Sequence, residues 1–389
     1  MRIMSTPRSL DLDITNGCNL RCKYCSHFSS EGDVSRDLPT EEWLDFFQEL
    51  NRCGIMTVCL QGGEPFYRRD LPELIEGIVE NRMRFNILSN GTLITDEMAI
   101  FLASTRRCDG VQVSIDGSDA PTHDVFRGKG SFSRAVKGIE ILRKHSVPVS
   151  VRVTIHKENV HKLEEITRFL LEDFDFTEFT TNAVSFMGLC RENAEEVQLS
   201  VPERTLAMES LLALNREYNG RIGATAGPLA EAINWMMMEQ ARCEGKENLP
   251  GGGYLTGCGC HTSSLAVRAD GAIVPCAQLS HIELGRVGKS DLKEIWQHHP
   301  ELKRLRNRYT IPLSDFDFCR GCDYIPYCTG NCPALAYTIT GQVNHPSPDA
   351  CLRDFLKEGG KLPCNSSEQW TVDSGQWTVD SGQWTVDSE

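Results

Sequence analysis

Cys18-Asn-Leu-Arg-Cys22-Lys-Tyr-Cys25 sets three thiols at C-x3-C-x2-C spacing. Three thiolates on one tight loop can hold three irons of a 4Fe–4S cube and leave the fourth iron open to a ligand. Arg21 and Lys23 add positive charge beside such an anionic cluster. Zinc, the alternative metal, normally draws four ligands from paired C-x2-C units. Three turn sequences follow: Gly62-Gly63-Glu64-Pro65, Ser89-Asn90-Gly91 and Ser114-Ile115-Asp116-Gly117. Each alone is a weak turn signal. Downstream lie Cys258, Cys260, Cys276, Cys319, Cys322, Cys328, Cys332 and Cys351, in a stretch rich in Gly and Pro and poor in apolar periodicity. Such a stretch needs staples, and C-x2-C pairs such as Cys319/Cys322 also occur in zinc ribbons.

The elements that must position these residues can be read from periodicity. Strands are predicted at Ser9–Thr15, Met56–Leu60, Arg84–Leu88, Gly110–Ile115, Pro148–Ile155 and Thr177–Val184. Helices are predicted between them at Thr40–Arg52, with Thr40 as N-cap, and at Leu71–Asn81, Asp96–Ser104, Ser131–His145 and His161–Asp173. Six strands alternating with helices read as an α/β fold, a parallel sheet or incomplete barrel, with chemistry at the carboxyl ends of the strands. The cysteine loop and the three turn sequences all fall on that rim.

The domain reading is residues 1–190 for this barrel, 191–250 for a helical linker, 251–355 for the cysteine-rich region and 356–389 for a tail. The linker holds helices at Val201–Tyr218, opened by Ser200 and Pro202, and at Pro228–Arg242. The cysteine-rich region has a hairpin at Leu265–Val274, turning at Asp270-Gly271, and one helix at Ser290–Arg308. The tail repeats Gln-Trp-Thr-Val-Asp-Ser three times, too short for a solenoid, and is expected to be a disordered, passive extension.

Composition excludes several classes. The chain has 389 residues with 40 Lys+Arg against 54 Asp+Glu, a net charge of -14 that disfavours broad contact with nucleic acid. No apolar run reaches membrane-span length and no apolar signal core opens the chain, so a cytoplasmic enzyme is expected. In that compartment 17 cysteines point to metal or Fe–S ligation rather than disulfides.

The proximal loop resembles the cluster motif of radical S-adenosylmethionine (SAM) enzymes, with Tyr24 at the aromatic position. The distal array, Cys260, Gly271, Cys276, Cys319-x2-Cys322-x5-Cys328-x3-Cys332 and Cys351, is similar to the SPASM domain that carries two auxiliary Fe–S clusters. The resemblance implies a partial (β/α)6 TIM-like barrel followed by a SPASM domain. It implies that Cys18, Cys22 and Cys25 bind a cluster, and that SAM chelates the open iron and is cleaved by one electron to methionine and a 5′-deoxyadenosyl radical. By the family's pattern Cys260, Cys276 and Cys332, with Cys258, hold the first auxiliary cluster, and Cys319, Cys322, Cys328 and Cys351 the second. Three clusters are then expected, all of the 4Fe–4S kind. Cys258-x-Cys260 is a tighter pair than in some relatives. Gly62, Gly63, Glu64 and Pro65 are assigned by resemblance to the methionine amino group, and Ser89, Asn90, Ser114 and Asp116 to the ribose. Arg127 is a candidate for the SAM carboxylate. The other six cysteines, Cys53, Cys59, Cys108, Cys190, Cys243 and Cys364, read mostly as small core hydrophobes.

Most relatives of this architecture modify ribosomally made peptides, and the stretch Cys25-Ser-His-Phe-Ser-Ser resembles a maturase subgroup of the SynChlorMet-cassette type. The leading expectation is an oxidoreductase that cross-links a precursor peptide, drawing electrons from a flavodoxin or ferredoxin. Ala277 follows Cys276, where sulfatase-maturating enzymes have an Asp, which argues against that reaction. Cys18 lies so near the amino end that no leader-binding winged helix is expected before the barrel, implying a separate leader-peptide recognition protein or direct binding to the linker. A tetrapyrrole or haem-biosynthesis enzyme is the second reading, and a zinc-binding interaction protein the third.

Overall fold

The structure, a computed structural model, describes residues 3–28, 36–363, 377–380 and 383–386. The chain runs β1 (Ser9–Thr15), α1 (Thr40–Arg52), β2 (Thr57–Gly62), α2 (Leu71–Glu80), β3 (Arg84–Ser89), α3 (Asp96–Thr105), β4 (Cys108–Ser114), α4 (Ala120–Arg127), α5 (Ser131–Lys144) and β5 (Val149–Ile155). Then come α6 (Leu163–Arg168), β6 (Phe179–Ala183), α7 (Cys190–Val197), α8 (Val201–Glu217), β7 (Ile222–Ala224) and α9 (Pro228–Cys243). The remainder holds β8 (Ser264–Val267), β9 (Ala272–Val274), β10 (Gly285–Arg286), α10 (Leu292–His298), α11 (Pro300–Asn307), α12 (Pro333–Thr340), α13 (Leu352–Lys357), β11 (Trp377–Asp380) and β12 (Gln383–Val386).

Two compact units result: Met1–Arg152 with Met187–Ala194 and Cys258–Arg308, and Val153–Phe186 with Glu195–Gly257 and Tyr309–Glu389. In the first unit β1 to β5 pair in parallel, each with its chain neighbour. Strand alternation gives this sheet two unlike faces. Leu10, Leu12, Ile14, Val58, Leu60, Phe85, Ile87, Val111, Val113 and Val151 are fully buried on one of them. Gly91 and Ala135 of α5 close over Val113 there, so this is the face the helices cover. Burying it supplies the main drive for the fold, at roughly 25 cal/mol per Å² of apolar surface. The opposite face carries Asp11, Asp13, Cys59, Gln61, Asn86, Gln112, Ser114 and Arg152, with Asp11, Cys59 and Asn86 side by side in register.

The cysteine-rich region contributes to this same sheet. β8 pairs in parallel with β1, and β9 turns back on β8 through Asp270-Gly271, Gly271 taking φ +82°. That is the expected hairpin, with shorter strands. The expected helix at Ser290–Arg308 is two helices. Pro300 cannot continue α10, and His299 accepts a hydrogen bond from the Glu301 N–H at 3.2 Å to start α11. Thr40 opens α1 as the first helical residue, not as its cap: Pro39 takes the cap position and the Thr40 hydroxyl donates to Asp70.

In the second unit, β7 lies parallel to β6, a strand that the helical-linker reading did not foresee. Ser200 and Glu203 form a reciprocal capping box at the start of α8. Arg204 of α8 and Glu231 of α9 are bound through two hydrogen bonds of 2.7 and 2.5 Å, with the guanidinium 4.9 Å over Trp235. The predicted helix at His161–Asp173 is a 3-10 turn, α6 and a π-helical turn over Phe169–Asp173. Two copies of the tail repeat pair with each other, Trp377 opposite Val386 and Val379 opposite Trp384. Cys364 lies outside the described residues. Among the remaining cysteines Cys190 is fully buried as expected, whereas Cys243 is exposed and Cys59 sits on the polar face of the sheet.

Candidate active site

The loop after β1 is built on backbone contacts that only glycine permits. Thr15 accepts a hydrogen bond from the Gly63 N–H at 2.8 Å, and Gly17 accepts one from the Glu64 N–H at 2.8 Å. A Cβ on Gly63 would overlap the Gly17 carbonyl, and Gly62 holds φ +120° against the Thr15 carbonyl. The two glycines therefore weld the loop after β2 to the root of the cysteine loop. Asp37 adds support by accepting from the Thr15 hydroxyl at 2.5 Å and the Asn16 N–H at 2.8 Å.

Further along the loop, Cys22 accepts from the Cys25 N–H at 3.0 Å, and Phe126 of α4 accepts from the Lys23 N–H at 3.0 Å. The Cys25 carbonyl accepts from Leu189 N–H at 2.9 Å, and the Asn193 amide donates to the Lys23 carbonyl at 3.0 Å. Residues around 187–193 thus brace the loop from a distance in sequence that no local pattern reveals. Burial pushes the Cys18 thiol up to about 11 and the Cys22 thiol up to about 12. Thiolates held there need compensating positive charge, which iron ions bound to the sulfurs would supply.

Glu64 is the meeting point of the next two strands. It is 1% exposed and accepts from the Ser89 hydroxyl at 2.8 Å, the Asn90 N–H at 2.7 Å and the Phe66 N–H at 3.2 Å. Burial nevertheless pushes its carboxyl up to about 7. A buried carboxylate so placed is suited to a ligand ammonium. Pro65 opens the short 3-10 turn that Glu64 caps. Asn90 donates to Asn19 at 3.0 Å and lies 3.9 Å from the Cys18 sulfur, so the loops after β1 and β3 are joined as well.

At the end of β4, Asp116 is fully buried and receives Arg127 Nε at 2.5 Å, Arg127 Nη2 at 3.3 Å and the Tyr24 hydroxyl. Its own N–H donates to His123 Nδ1 at 3.1 Å. The expected ribose and carboxylate contacts, Asp116 and Arg127, are thus bonded to each other. Ser114 stands on the polar sheet face in register with Arg152. The sequence reading missed His123, Asn19, Asp37 and Asn193. Only His123 carried a signal, the spacing that α4 gives it from Arg127.

Of the distal cysteines, Cys258, Cys260 and Cys276 lie in the first unit. Cys260 donates toward Cys258, which pulls the Cys258 thiol down to about 6, and Cys260 Sγ is 3.0 Å from His261 Nδ1. Cys332, in the second unit, stands at the start of α12. Also in that unit, Cys319, Cys322, Cys328 and Cys351 line one apolar pocket with Leu313, Phe318 and Ile325. Burial, then the neighbouring thiols, push Cys319 up to about 12. Among the described residues, no three His, Cys, Asp or Glu side chains converge as the ligands of a single metal ion do. Four sulfurs around an apolar pocket match the donor set of an iron–sulfur cluster.

Residues 12–170 match the Radical SAM superfamily, and residues 258–323 match an iron–sulfur cluster-binding domain, SPASM. The chain is 31% identical over 363 residues to an AdoMet-dependent heme synthase of Methanosarcina barkeri, covering 91% of this chain and 99% of that one. It is 26% identical over 360 residues to a PqqA peptide cyclase of Granulibacter bethesdensis, covering 90% and 89%. In fold it is similar to Streptococcus suis SuiB bound to its precursor peptide SuiA, with a TM-score of 0.68 at 16% identity over 90% of this chain and 77% of that one. The chain, an α/β enzyme with its cysteine loop at the carboxyl end of β1, belongs to the radical SAM superfamily and carries a SPASM domain.

Proposed function

We propose that this enzyme modifies a ribosomally made precursor peptide, forming a cross-link by removal of two hydrogens. The observation that carries the reading is the polar face of the first unit's sheet, opposite the one α5 packs on, which carries the amide and hydroxyl residues Gln61, Asn86, Gln112 and Ser114. Such groups match the hydrogen-bonding needs of a peptide backbone.

In this reading Cys18, Cys22 and Cys25 hold the SAM-binding cluster, whose chemistry when loaded is abstraction of a substrate hydrogen by the radical derived from SAM. Glu64 orients the ammonium end of the cofactor, and its bonds to Ser89 and Asn90 fix that carboxylate in place. Asp116 and Arg127 act through Tyr24, holding the cysteine loop at its aromatic residue. Cys319, Cys322, Cys328 and Cys351 would hold an auxiliary cluster and Cys258, Cys260 and Cys276 would supply ligands to another, a type of group that serves as a one-electron acceptor. Ala277 leaves no carboxylate beside Cys276, which favours cross-linking over oxidation of the sulfatase kind. An electron donor such as flavodoxin or ferredoxin and a separate leader-recognition protein complete the system, in the cytoplasm. No helix among the described residues is long and apolar enough to cross a membrane.

A haem-forming reaction is the second reading, favoured by the 31% identity to a protein whose name is AdoMet-dependent heme synthase. One experiment separates the two. Anaerobic enzyme is given SAM, reductant and either the side-chain-deuterated precursor peptide from the same locus or iron-coproporphyrin. Unlabelled peptide that loses about 2 Da per turnover, and labelled peptide that passes deuterium to 5′-deoxyadenosine, support the proposal. Turnover of the porphyrin alone replaces it with the second reading.

A further inference from the structure

The distal cysteines of the first unit stand together, with the Cys260 thiol hydrogen-bonded to both Cys258 and Cys276. Such a donor set suits an iron–sulfur cluster, which is an anion once its ligands are thiolates. What backs it is cationic. Cys260 and His261 occupy a 3-10 turn, Gly259–His261, that packs against α11, the helix that carries Arg306 and runs on to Arg308.

His261 is fully buried, and its Nδ1 lies 3.0 Å from the Cys260 sulfur. Arg306 is 8% exposed and donates from Nε to the His261 carbonyl at 2.7 Å and from Nη1 to the Trp296 carbonyl at 2.6 Å. Its guanidinium lies 4.4 Å over the Trp296 ring. Among the described residues, Nη2 is buried with no hydrogen-bond partner, and both bonds of Arg306 go to carbonyls, none to a carboxylate. A guanidinium enclosed without a counter-charge is costly, so an anion nearby lowers that cost. Arg308, fully buried, puts a second positive charge beside the imidazole. A ring set between two cations and a thiolate turns its N–H to the thiolate, because the other tautomer would face the sulfur with a lone pair. The second unit's cysteine set differs: the guanidinium lining its pocket, Arg353, is paired with Asp354 at 2.8 Å.

We propose that His261 donates its Nδ1–H to the Cys260 sulfur and, with the buried charge of Arg306 behind it, raises the reduction potential of the auxiliary cluster that Cys258, Cys260 and Cys276 help to hold. The inference rests on the auxiliary-cluster reading and deepens it by naming what tunes that cluster. One-electron reduction adds negative charge to the cluster and its thiolates. A donor N–H and a cation therefore stabilise the reduced state more than the oxidised one. Arg306 is a positioning residue as well, since its bond to the His261 carbonyl holds the turn that aims the ring.

The test is an anaerobic titration of reconstituted full-length enzyme with dithionite, followed by EPR, on wild type, His261→Phe and Arg306→Gln. The wave that reports this cluster is the one missing from the triple variant Cys258→Ala/Cys260→Ala/Cys276→Ala. His261→Phe keeps a ring of similar size without the N–H. The wave should fall by about tenfold in the equilibrium constant for electron uptake, about 59 mV for a one-electron couple. Arg306→Gln, which keeps an amide donor and loses the charge, should lower the same wave, and the other waves should stay in place. A wave that stays or rises in either variant with its iron retained overturns the proposal. If His261→Phe loses that iron, Arg306→Gln decides alone. Loss of the same irons, about four, from both variants makes the pair an assembly device and overturns the tuning role. The auxiliary-cluster reading fails separately, when the cysteine triple variant loses neither iron nor a wave.

Discussion

Tyr24, inside the cysteine loop, donates its hydroxyl to Asp116, a residue 92 positions later at the end of β4. Asp116 is bonded in turn to Arg127, whose guanidinium lies 5.5 Å over the Tyr24 ring. The aromatic position of the cysteine motif is therefore an anchor. It ties the loop that follows β1 to the fourth strand, and the geometry of the three thiols depends on a pair formed far along the chain.

The two ends of this anchor should respond differently to substitution. Tyr24→Phe removes one hydrogen bond while Asp116 keeps Arg127, a loss of about 1 kcal/mol. Asp116→Asn leaves the Arg127 guanidinium buried without its counter-charge, a loss on the order of 3 to 5 kcal/mol. Urea unfolding of the two variants reads the difference. Equal losses would mean that Arg127 does not depend on Asp116.

Glu64 accepts three hydrogen bonds, two of them from the loop after β3. Glu64→Gln keeps the shape but turns an amide donor toward the donors it now receives, and it removes the charge available to a ligand ammonium. SAM affinity, measured by equilibrium dialysis, should fall by about tenfold or more, and Ser89→Ala should cost less because Asn90 and Phe66 remain. An affinity unchanged in Glu64→Gln would separate this carboxylate from SAM.

Local pattern carried the frame and missed the joints. The strands and most helices of the first unit were legible because Leu10, Leu12 and Ile14, and their counterparts in β2 to β5, alternate cleanly. α4 was not, since Pro121, Thr122, His123 and Asp124 break any apolar period; its cap, Asp119 accepting from Thr122 N–H, was in plain view. The cysteine spacing carried its chemistry openly. What Gly62 and Gly63 do was hidden, because the carbonyls they approach belong to Thr15 and Gly17, more than forty positions earlier. The bracing of Cys25 by Leu189 and the pairing of Asp116 with Arg127 are tertiary facts of the same kind. The Ser290–Arg308 helix was read as unbroken although Pro300 stands inside it, and His299 before that proline caps the second of the two helices.

Iron content should divide by cysteine set. Reconstituted wild type is expected to hold about twelve irons, and about four should be lost when Cys18, Cys22 and Cys25 are all replaced by Ala, together with all SAM cleavage. Replacing Cys319, Cys322, Cys328 and Cys351 should remove about four others, because all four line one pocket. A wild-type total near one cluster would dismiss the distal ligands, and zinc in place of iron would favour the interaction-protein reading.

Asp13 gives the first unit a pH dependence whose sign is fixed by burial. Its carboxyl is raised from 3.8 to about 7, first by desolvation and then by the neighbouring Asp11, against the lowering effects of Gln61 and Arg268. The folded protein therefore holds a proton that the unfolded chain has lost, throughout the window between those two values. Stability from this group is full below the unfolded value, falls as pH rises, and is gone above about 7. Asp13→Asn has no such proton to lose. Relative to wild type, the variant should gain on the order of 1 kcal/mol between about pH 6 and pH 8, and little beyond. His27, 3.8 Å away, is common to both proteins, so its own titration largely cancels in the difference. Chemical unfolding of cluster-loaded wild type and variant across this range measures the slope. A flat difference would show that Asp13 is ionised in the fold at pH 6, and a reversed one would mean that a cation, most directly His27 or Arg268, already stabilises the carboxylate.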